Sequence, residues 1–370
     1  MSTLLFGPRG IGKSTWIQQH FPDAPRYDLL DTKEALRLER EPGQLFLELQ
    51  SLPPRSWVVL DEVQKVPALM DEVHRLMESK RLQFLLCGSS ARKLKRAGAN
   101  LLAGRALVQT MFPLVSSELM EDFDPERALT LGGLPLSVTG SDPKGYLDTY
   151  AATYLNEEIR AEALTRNVGA FSRFLEVAAR QNAQVTNISN IARESAVART
   201  TVQNYFEILV DTLIGYWITP WKLKHSNKQV QHAKFYLFDS GVVRALSGRL
   251  PYPPTQEEVG SLLETLIFGE VKAYLAYNRL RYTPHFWRTH DGTEVDLLLE
   301  TKSGFVAIEI KAANQWQRRF NTGLHRLCND LPNVSAYGVY RGERPVMMDD
   351  INILPLPSFL TSLWNGNIIN

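Results

Sequence analysis

Cysteine is scarce: Cys87 and Cys328 are the only two among 370 residues. They stand far apart and without metal-ligand spacing, which excludes a disulfide framework and a thiolate metal cluster and points to a reducing compartment. No apolar run approaches the ~18 residues a membrane span needs, and no secretory leader precedes the first apolar stretch. The expectation is a cytoplasmic protein with no membrane partner. Charge of one sign is also lacking. The formal net charge is +1, so no global basic field announces a polyanion, and any nucleic-acid contact must come from local patches. Repeats and low-complexity tracts are absent. Single cores rarely grow much past ~250 residues, so a chain of this length predicts two or three domains.

What is present begins near the start. Gly7-Pro8-Arg9-Gly10-Ile11-Gly12-Lys13-Ser14-Thr15 follows a short apolar run (Leu4, Leu5, Phe6) and precedes a helix-compatible stretch. Strand, G-x-x-x-x-G-K-S loop and helix together read as a phosphate-binding loop. The glycines permit a tight turn that presents backbone N–H groups to phosphate oxygens, and the helix adds its positive end. Lys13 is placed to reach the β- and γ-phosphates of ATP, and the Ser14 hydroxyl to hold Mg²⁺.

A second anchor is Trp57-Val58-Val59-Leu60-Asp61-Glu62, a buried parallel strand ending in two carboxylates. Ligands bind at that end of open α/β sheets, which makes Asp61 a Mg²⁺ ligand and Glu62 the residue that orients or deprotonates attacking water. A third strand, Gln83 to Cys87, leads to Gly88-Ser89-Ser90. Its hydroxyls suit a γ-phosphate sensor or a plain polar turn. Arg105 has the permanent charge of an arginine finger, although a lone arginine also serves as a surface ion-pair partner. An alternating run through Leu107, Gln109 and Met111 predicts another strand. Tyr146 to Arg160 has amphipathic helical spacing and reads as part of a small helical lid.

These motifs, with Val63-Gln64-Lys65-Val66-Pro67, Gly104-Arg105 and Gly132-Gly133-Leu134-Pro135, resemble prokaryotic AAA-type ATPases of the archaeal-ATPase-like kind. The resemblance covers nearly the whole chain. It implies an ATPase domain, a winged helix and a nuclease-like C-terminal domain of unknown function. The fold expectation is α/β: a P-loop parallel sheet with its lid over residues 1–165, a winged helix over 166–255, and a restriction-endonuclease-like α/β domain over 256–370. A finger acting in trans would require a homo-oligomer, which is the expected state.

Within the middle region, Asn187 or Ser189 is placed to cap a short helix, and a turn at Ser195-Ala196-Val197 leads into Arg199 to Leu209. Val202, Phe206 and Leu209 would face inward. Arg199, Thr200, Gln203 and Asn204 would face out, as on a helix that reads a DNA major groove. Strands Leu213 to Ile218 and Lys234 to Phe238 flank a polar loop containing Lys222, Lys224, His225, Lys228 and His232. Winged helices serve DNA or protein partners, and both remain open here.

The last region resembles the PD-(D/E)xK nuclease core, with Glu264 on a helix and Asp296 and Glu309-x-Lys311 on a hairpin. Spacing tests this independently. A loop of Thr301-Lys302-Ser303-Gly304 pairs Glu300 with Phe305, and therefore Asp296 with Glu309 and Glu294 with Lys311. With a side-chain period of 2, all four share a face. Opposed carboxylates repel unless something offsets them. Mg²⁺ or Mn²⁺, held by Glu264, Asp296 and Glu309, is the expected answer, with Lys311 steadying the attacking water or the phosphate. A nuclease-shaped domain that only binds stays open as the alternative. The polar run Asn314 to Arg319 reads as a helix start beside this site, and Arg279, Arg281, Tyr282, His285, Trp287, Arg288 and His290 as a backbone grip or a mixed edge hairpin.

Overall fold

A computed structural model describes residues 1–89, 104–154, 168–222 and 232–370. The chain divides into two compact units, Met1–Phe112 with Ile208–Ile214, and Pro113–Glu207 with Gly215–Asn370.

The first unit carries β1 (Ser2–Phe6), α1 (Lys13–His20), β2 (Arg26–Asp28), α2 (Thr32–Arg40), α3 (Gly43–Leu49), β3 (Trp57–Asp61), α4 (Leu69–Lys80), β4 (Gln83–Gly88) and β5 (Ala106–Thr110). The five strands pair in parallel in the order β2-β3-β4-β1-β5. Central strands buried on both faces explain the continuous apolar runs: Leu4, Val58, Leu60, Phe84 and Leu86 are fully buried. The order places β4 between the loop-bearing β1 and the acid-bearing β3. Both motifs and Ser89 therefore emerge at the carboxyl edge of adjacent strands. Sequence reading does not find β2, a short strand with no alternating apolar pattern.

After short helical turns the second unit includes α5 (Pro125–Leu131) and α6 (Pro143–Thr149), and a π-helical turn follows over Tyr150–Tyr154. The expected Tyr146–Arg160 helix is thus two pieces as far as residue 154, and residues 155–167 lie outside the described residues. The Ser116 backbone N–H and hydroxyl donate to Glu270 at 2.7 and 3.0 Å, Gly133 N–H donates to Asp239 at 2.7 Å, and the Ser240 hydroxyl to the Ala128 carbonyl at 2.6 Å. These bonds tie the helical segment to the rest of the second unit.

Next come α7 (Val168–Arg180), α8 (Ile188–Ser195), α9 (Arg199–Asp211), and an antiparallel hairpin of β6 (Gly215–Ile218) and β7 (Lys234–Leu237). Asn187 is the cap of α8, accepting from Ser189 and Asn190 N–H at 3.0 and 3.2 Å. Ala196 then turns the chain with a left-handed φ of 53°. Val185 bridges Lys234, adding a third short extended segment to the hairpin. Of the polar loop, residues 223–231 lie outside the described residues.

After α10 (Ser240–Leu246) and α11 (Gln256–Tyr277) come β8 (His285–Arg288), β9 (Glu294–Thr301), β10 (Gly304–Lys311), α12 (Thr322–Asp330), β11 (Val334–Tyr340), β12 (Val346–Met348), β13 (Ile351–Pro355) and α13 (Leu356–Trp364). Six strands form one mixed sheet in the order β12-β13-β11-β10-β9-β8. The β9–β10 register pairs Phe305 with Glu300, as the spacing predicts, although Thr301 and Gly304 pair as well, so the turn is the tighter Lys302-Ser303. Gly304 takes φ 136° and an added Cβ would lie 2.2 Å from the Asn333 carbonyl oxygen, so only glycine fits. The expected helix start at Asn314 is displaced: Arg318–Asn321 is a 3₁₀ turn and the α-helix starts at Thr322. Trp287 belongs to the core at 6% exposure, which removes it from the proposed basic grip.

Candidate functional site

The phosphate loop is built by close approach. An added Cβ on Gly7 would meet Ile11 Cδ1 at 2.3 Å and the Met111 carbonyl oxygen at 2.6 Å, so a side chain there would break the loop. Gly10 and Gly12 take φ of 79° and 90°. Gly12 caps α1 in the left-handed region, leaving the first N–H groups of the helix directed at whatever anion lies before it. Lys13 is buried and folds over its own loop, donating to the Gly7 and Pro8 carbonyls at 2.7 and 2.9 Å. Pro8 and Ile11 are buried, Arg9 is half-buried and Thr15 is exposed.

The Ser14 hydroxyl donates to Asp61 Oδ2 at 3.3 Å across 47 positions. A hydroxyl and a carboxylate are hard oxygen donors, and Mg²⁺ binds through such a pair while keeping several waters. Glu62 sits at φ 59° and ψ 42°, a left-handed conformation that costs a non-glycine residue about 1 kcal/mol or more. That turn aims it out of the strand. Gln64 Nε2 donates to Glu62 Oε2 at 2.5 Å and to Ser89 Oγ at 3.2 Å, tying the acid to the tip of β4. An added Cβ on Gly88 would lie 2.3 Å from Gln64 Oε1, so Gly88 makes room for this link. Ser89 therefore joins the site, and Ser90 lies outside the described residues.

Sequence reasoning misses Gln64 as a linker and Arg26 altogether. Arg26 Nη2 lies 2.5 Å from Asp61 Oδ2, its side chain 34% exposed. Arg105 is not beside its own phosphate loop. It precedes β5, whose first residue pairs with Ser2 at the amino edge of the sheet, and its Nε lies 2.7 Å from Glu78 Oε1. A strand of five residues, at about 3.3 Å each, separates the two edges.

In the second unit the four predicted positions do share a face, and a lysine that sequence reasoning leaves in a strand joins them. Lys234 heads β7 and its side chain is 5% exposed. Its Nζ lies 2.5 Å from Glu294 Oε1, 3.4 Å from Glu264 Oε2 and 3.8 Å from Asp296 Oδ1. Lys311 pairs with Glu309 Oε1 and lies 3.9 Å from Asp296 Oδ2, which also accepts from Ile310 N–H at 2.8 Å. Tyr236 OH donates to Glu264 Oε2 at 2.8 Å. Arg288 reaches Glu294 Oε2 at 3.5 Å. A lysine opening the apolar run Lys-Phe-Tyr-Leu-Phe looks solvent-facing in sequence, and only the packing of β7 shows otherwise.

Burial pushes the Glu309 carboxyl well above the usual range, aided by Asp296 and opposed by Lys311. Glu264 rises to about 7 by burial and then by the charge of Asp296, with Lys234 opposing. Burial works to lower Lys234 and Lys311, but the surrounding carboxylates outweigh it and both stay cationic. Glu309 Oε2 is buried with no hydrogen-bond partner among the described residues. Among the described residues, no group of three or more His, Cys, Asp or Glu is set to hold a metal ion. The expected ligands Glu264, Asp296 and Glu309 are thus gathered around lysines, and this donor set does not fit a resident divalent cation. A cleft of about 340 Å³ beside them is lined by Glu294, Glu309, Lys311 and Arg319.

On α9, Arg199, Thr200, Gln203 and Asn204 are exposed while Val202, Phe206 and Leu209 are buried, the division expected from spacing.

Comparison with known proteins divides the chain into three spans. Residues 1–120 match the model of a family described as an AAA domain. The first unit is an AAA-type, nucleotide-binding P-loop fold. Residues 122–252 and 259–359 match two domains of unknown function, DUF8612 and DUF4143. The chain is 27% identical to the uncharacterized protein Rv2008c of Mycobacterium tuberculosis, covering 97% of this chain and 81% of that one, and equally to the uncharacterized protein Mb2031c of Mycobacterium bovis. A solved structure of the Aeropyrum pernix Orc1 protein in complex with DNA aligns at 15% identity and a TM-score of 0.25, over 67% of this chain and 86% of that chain. So slight a likeness bears on neither fold nor function. Among the described residues no helix is long and apolar enough to cross a membrane.

Proposed function

We propose that the chain binds and hydrolyses ATP and couples that cycle to DNA through its second unit. The observation that carries the ATPase reading is the Ser14–Asp61 contact, which brings loop and acidic strand end together with Glu62 as the next residue. The amides and Lys13 hold the phosphates. Ser14 and Asp61 hold Mg²⁺, which when bound neutralises phosphate charge. Glu62 takes the proton of the attacking water, and Gln64 reports contact at Ser89 back to Glu62. Arg105 serves as a finger only from a neighbouring copy in a homo-oligomer. The test is Mg²⁺-dependent ATP turnover: Glu62→Gln binds ATP and slows turnover by about 10²- to 10⁴-fold. Normal turnover in that variant would remove Glu62 as the base.

For DNA, the supporting feature is the exposed row Arg199, Thr200, Gln203 and Asn204 on α9, within a helix-helix-hairpin order that suits a winged helix. Salt-dependent binding of duplex DNA, weakened in Arg199→Ala, tests it. The order α11, three antiparallel strands, α12 and parallel β11 suits a nuclease-like fold. The reading favoured by Lys234, however, is that this domain binds without cutting. Metal-dependent cleavage of duplex, nicked or branched DNA, lost in Asp296→Ala and Lys311→Ala, would restore the nuclease.

A further inference from the structure

We infer that Lys234 is a built-in replacement for a divalent cation: a lysine clamp from β7 that closes a latent metal site on β9, β10 and α11. Its ammonium contacts the oxygens such an ion would use, Glu264 Oε2 and Asp296 Oδ1, and is drawn tightest to Glu294. The other oxygen of Asp296 already receives the Ile310 N–H and faces Lys311. A hard cation needs oxygens at about 2.0–2.6 Å, and it would share them with an ammonium in the same space. Three cations, Lys234, Lys311 and Arg288, stand against four carboxylates, Glu264, Glu294, Asp296 and Glu309, which leaves no room for two further positive charges.

Lys234 cannot swing aside. Its side chain is 5% exposed, its strand is paired with β6, and its ammonium lies 5.5 Å from the Phe286 ring centre. The same clamp fixes the hairpin to the C-terminal sheet, so this site joins two parts of the second unit.

The test deepens the non-cutting reading above and is kept apart from the ATPase reading, because ATP turnover is followed separately in a control that retains Asp61. Mn²⁺ is titrated by electron paramagnetic resonance into the full chain, with the phosphate loop silenced by Asp61→Asn in every sample but an ATPase control. The unclamped protein is Lys234→Ala. If that variant is unfolded by circular dichroism, Lys234→Ala/Glu294→Gln replaces it, which restores charge balance while keeping the three expected ligands. The clamped chain is expected to bind no Mn²⁺ at the C-terminal site. The unclamped chain is expected to gain one Mn²⁺ site that Glu309→Gln or Asp296→Asn abolishes. Mn²⁺ binding by the clamped chain that depends on Asp296 and Glu309 would overturn the inference. So would a folded, unclamped chain that gains no site.

Discussion

The two acidic centres solve the same electrostatic problem in opposite ways. In the first unit, Asp61 is paired with Arg26, whose guanidinium stands at the protein surface with a third of its side chain in water. In the second, Asp296 and its neighbours are paired with Lys234, enclosed on every side. On the proposed ATP cycle, an exposed arginine is a counter-ion able to leave when Mg²⁺ and phosphate arrive, because water receives it at little cost. A buried lysine is a fixed part of the structure, because withdrawing it strands several carboxylates in a medium that cannot solvate them. A chemistry-bearing cluster in sequence therefore names the acids, while the placement of the nearest cation decides whether they await a metal.

The largest effect tests the fixed side of that contrast. Lys234→Met keeps much of the stem volume but removes the charge, and is expected to destabilise the second unit by about 3–5 kcal/mol, read as a lower urea midpoint. A loss under about 1 kcal/mol would place Lys234 in the same class as a surface ion pair and erase the difference between the centres. Next comes the lysine of the open site. Lys13→Ala is expected to weaken ATP binding at least about 100-fold by calorimetry, the worth of one or two charge-assisted hydrogen bonds at roughly 1.5–3 kcal/mol each. Folding is expected to change less than ATP binding, since the bonds from Lys13 to the Gly7 and Pro8 carbonyls lie within the loop itself.

How much of this was legible beforehand follows from where each signal lives. The phosphate loop, the acids at the end of β3 and the β9–β10 register are local, set by spacing of a few residues, and they are read correctly from the chain. The facing of α9 follows from its 3.6-residue period and the structure agrees. Arg26, Gln64 and Lys234 act across distances that no period encodes. Arg26 acts through parallel pairing of β2 with β3, and Lys234 through packing of a hairpin against a sheet formed some sixty residues later. The surroundings of Asp296 were hidden for the same reason: the opposed carboxylates do need a compensating charge, and Lys234, from a different element, stands among them. Which edge of the sheet Arg105 occupies is likewise not encoded by its sequence distance from the loop: it precedes β5 at the amino edge, beside Glu78.

A smaller effect comes from proton linkage at the closed centre. Burial, then Asp296, raise Glu264 from 4.5 to about 7 against the opposing charge of Lys234. The folded chain therefore holds this proton more tightly than the unfolded chain. The resulting stabilisation is complete below pH about 4.5 and is lost as pH rises through about 7. Between those limits the urea midpoint of the wild-type second unit should fall more steeply than that of Glu264→Gln. Equal slopes would mean that Glu264 stays ionised throughout, and that the clamp is a plain ion pair.

The smallest effect is the sharpest test of the open side. Arg26→Ala removes an ion pair whose cation is about one-third exposed, so stability should change by less than about 1 kcal/mol. If Arg26 is only a resting counter-ion for Asp61, its removal leaves Mg²⁺-ATP affinity equal or slightly tighter, because the metal no longer displaces a competitor, and turnover persists. Turnover that collapses in Arg26→Ala while ATP binding holds would assign the guanidinium to the reaction itself. In that case both centres would keep their protein cation while they work, and exposure would no longer be what separates them.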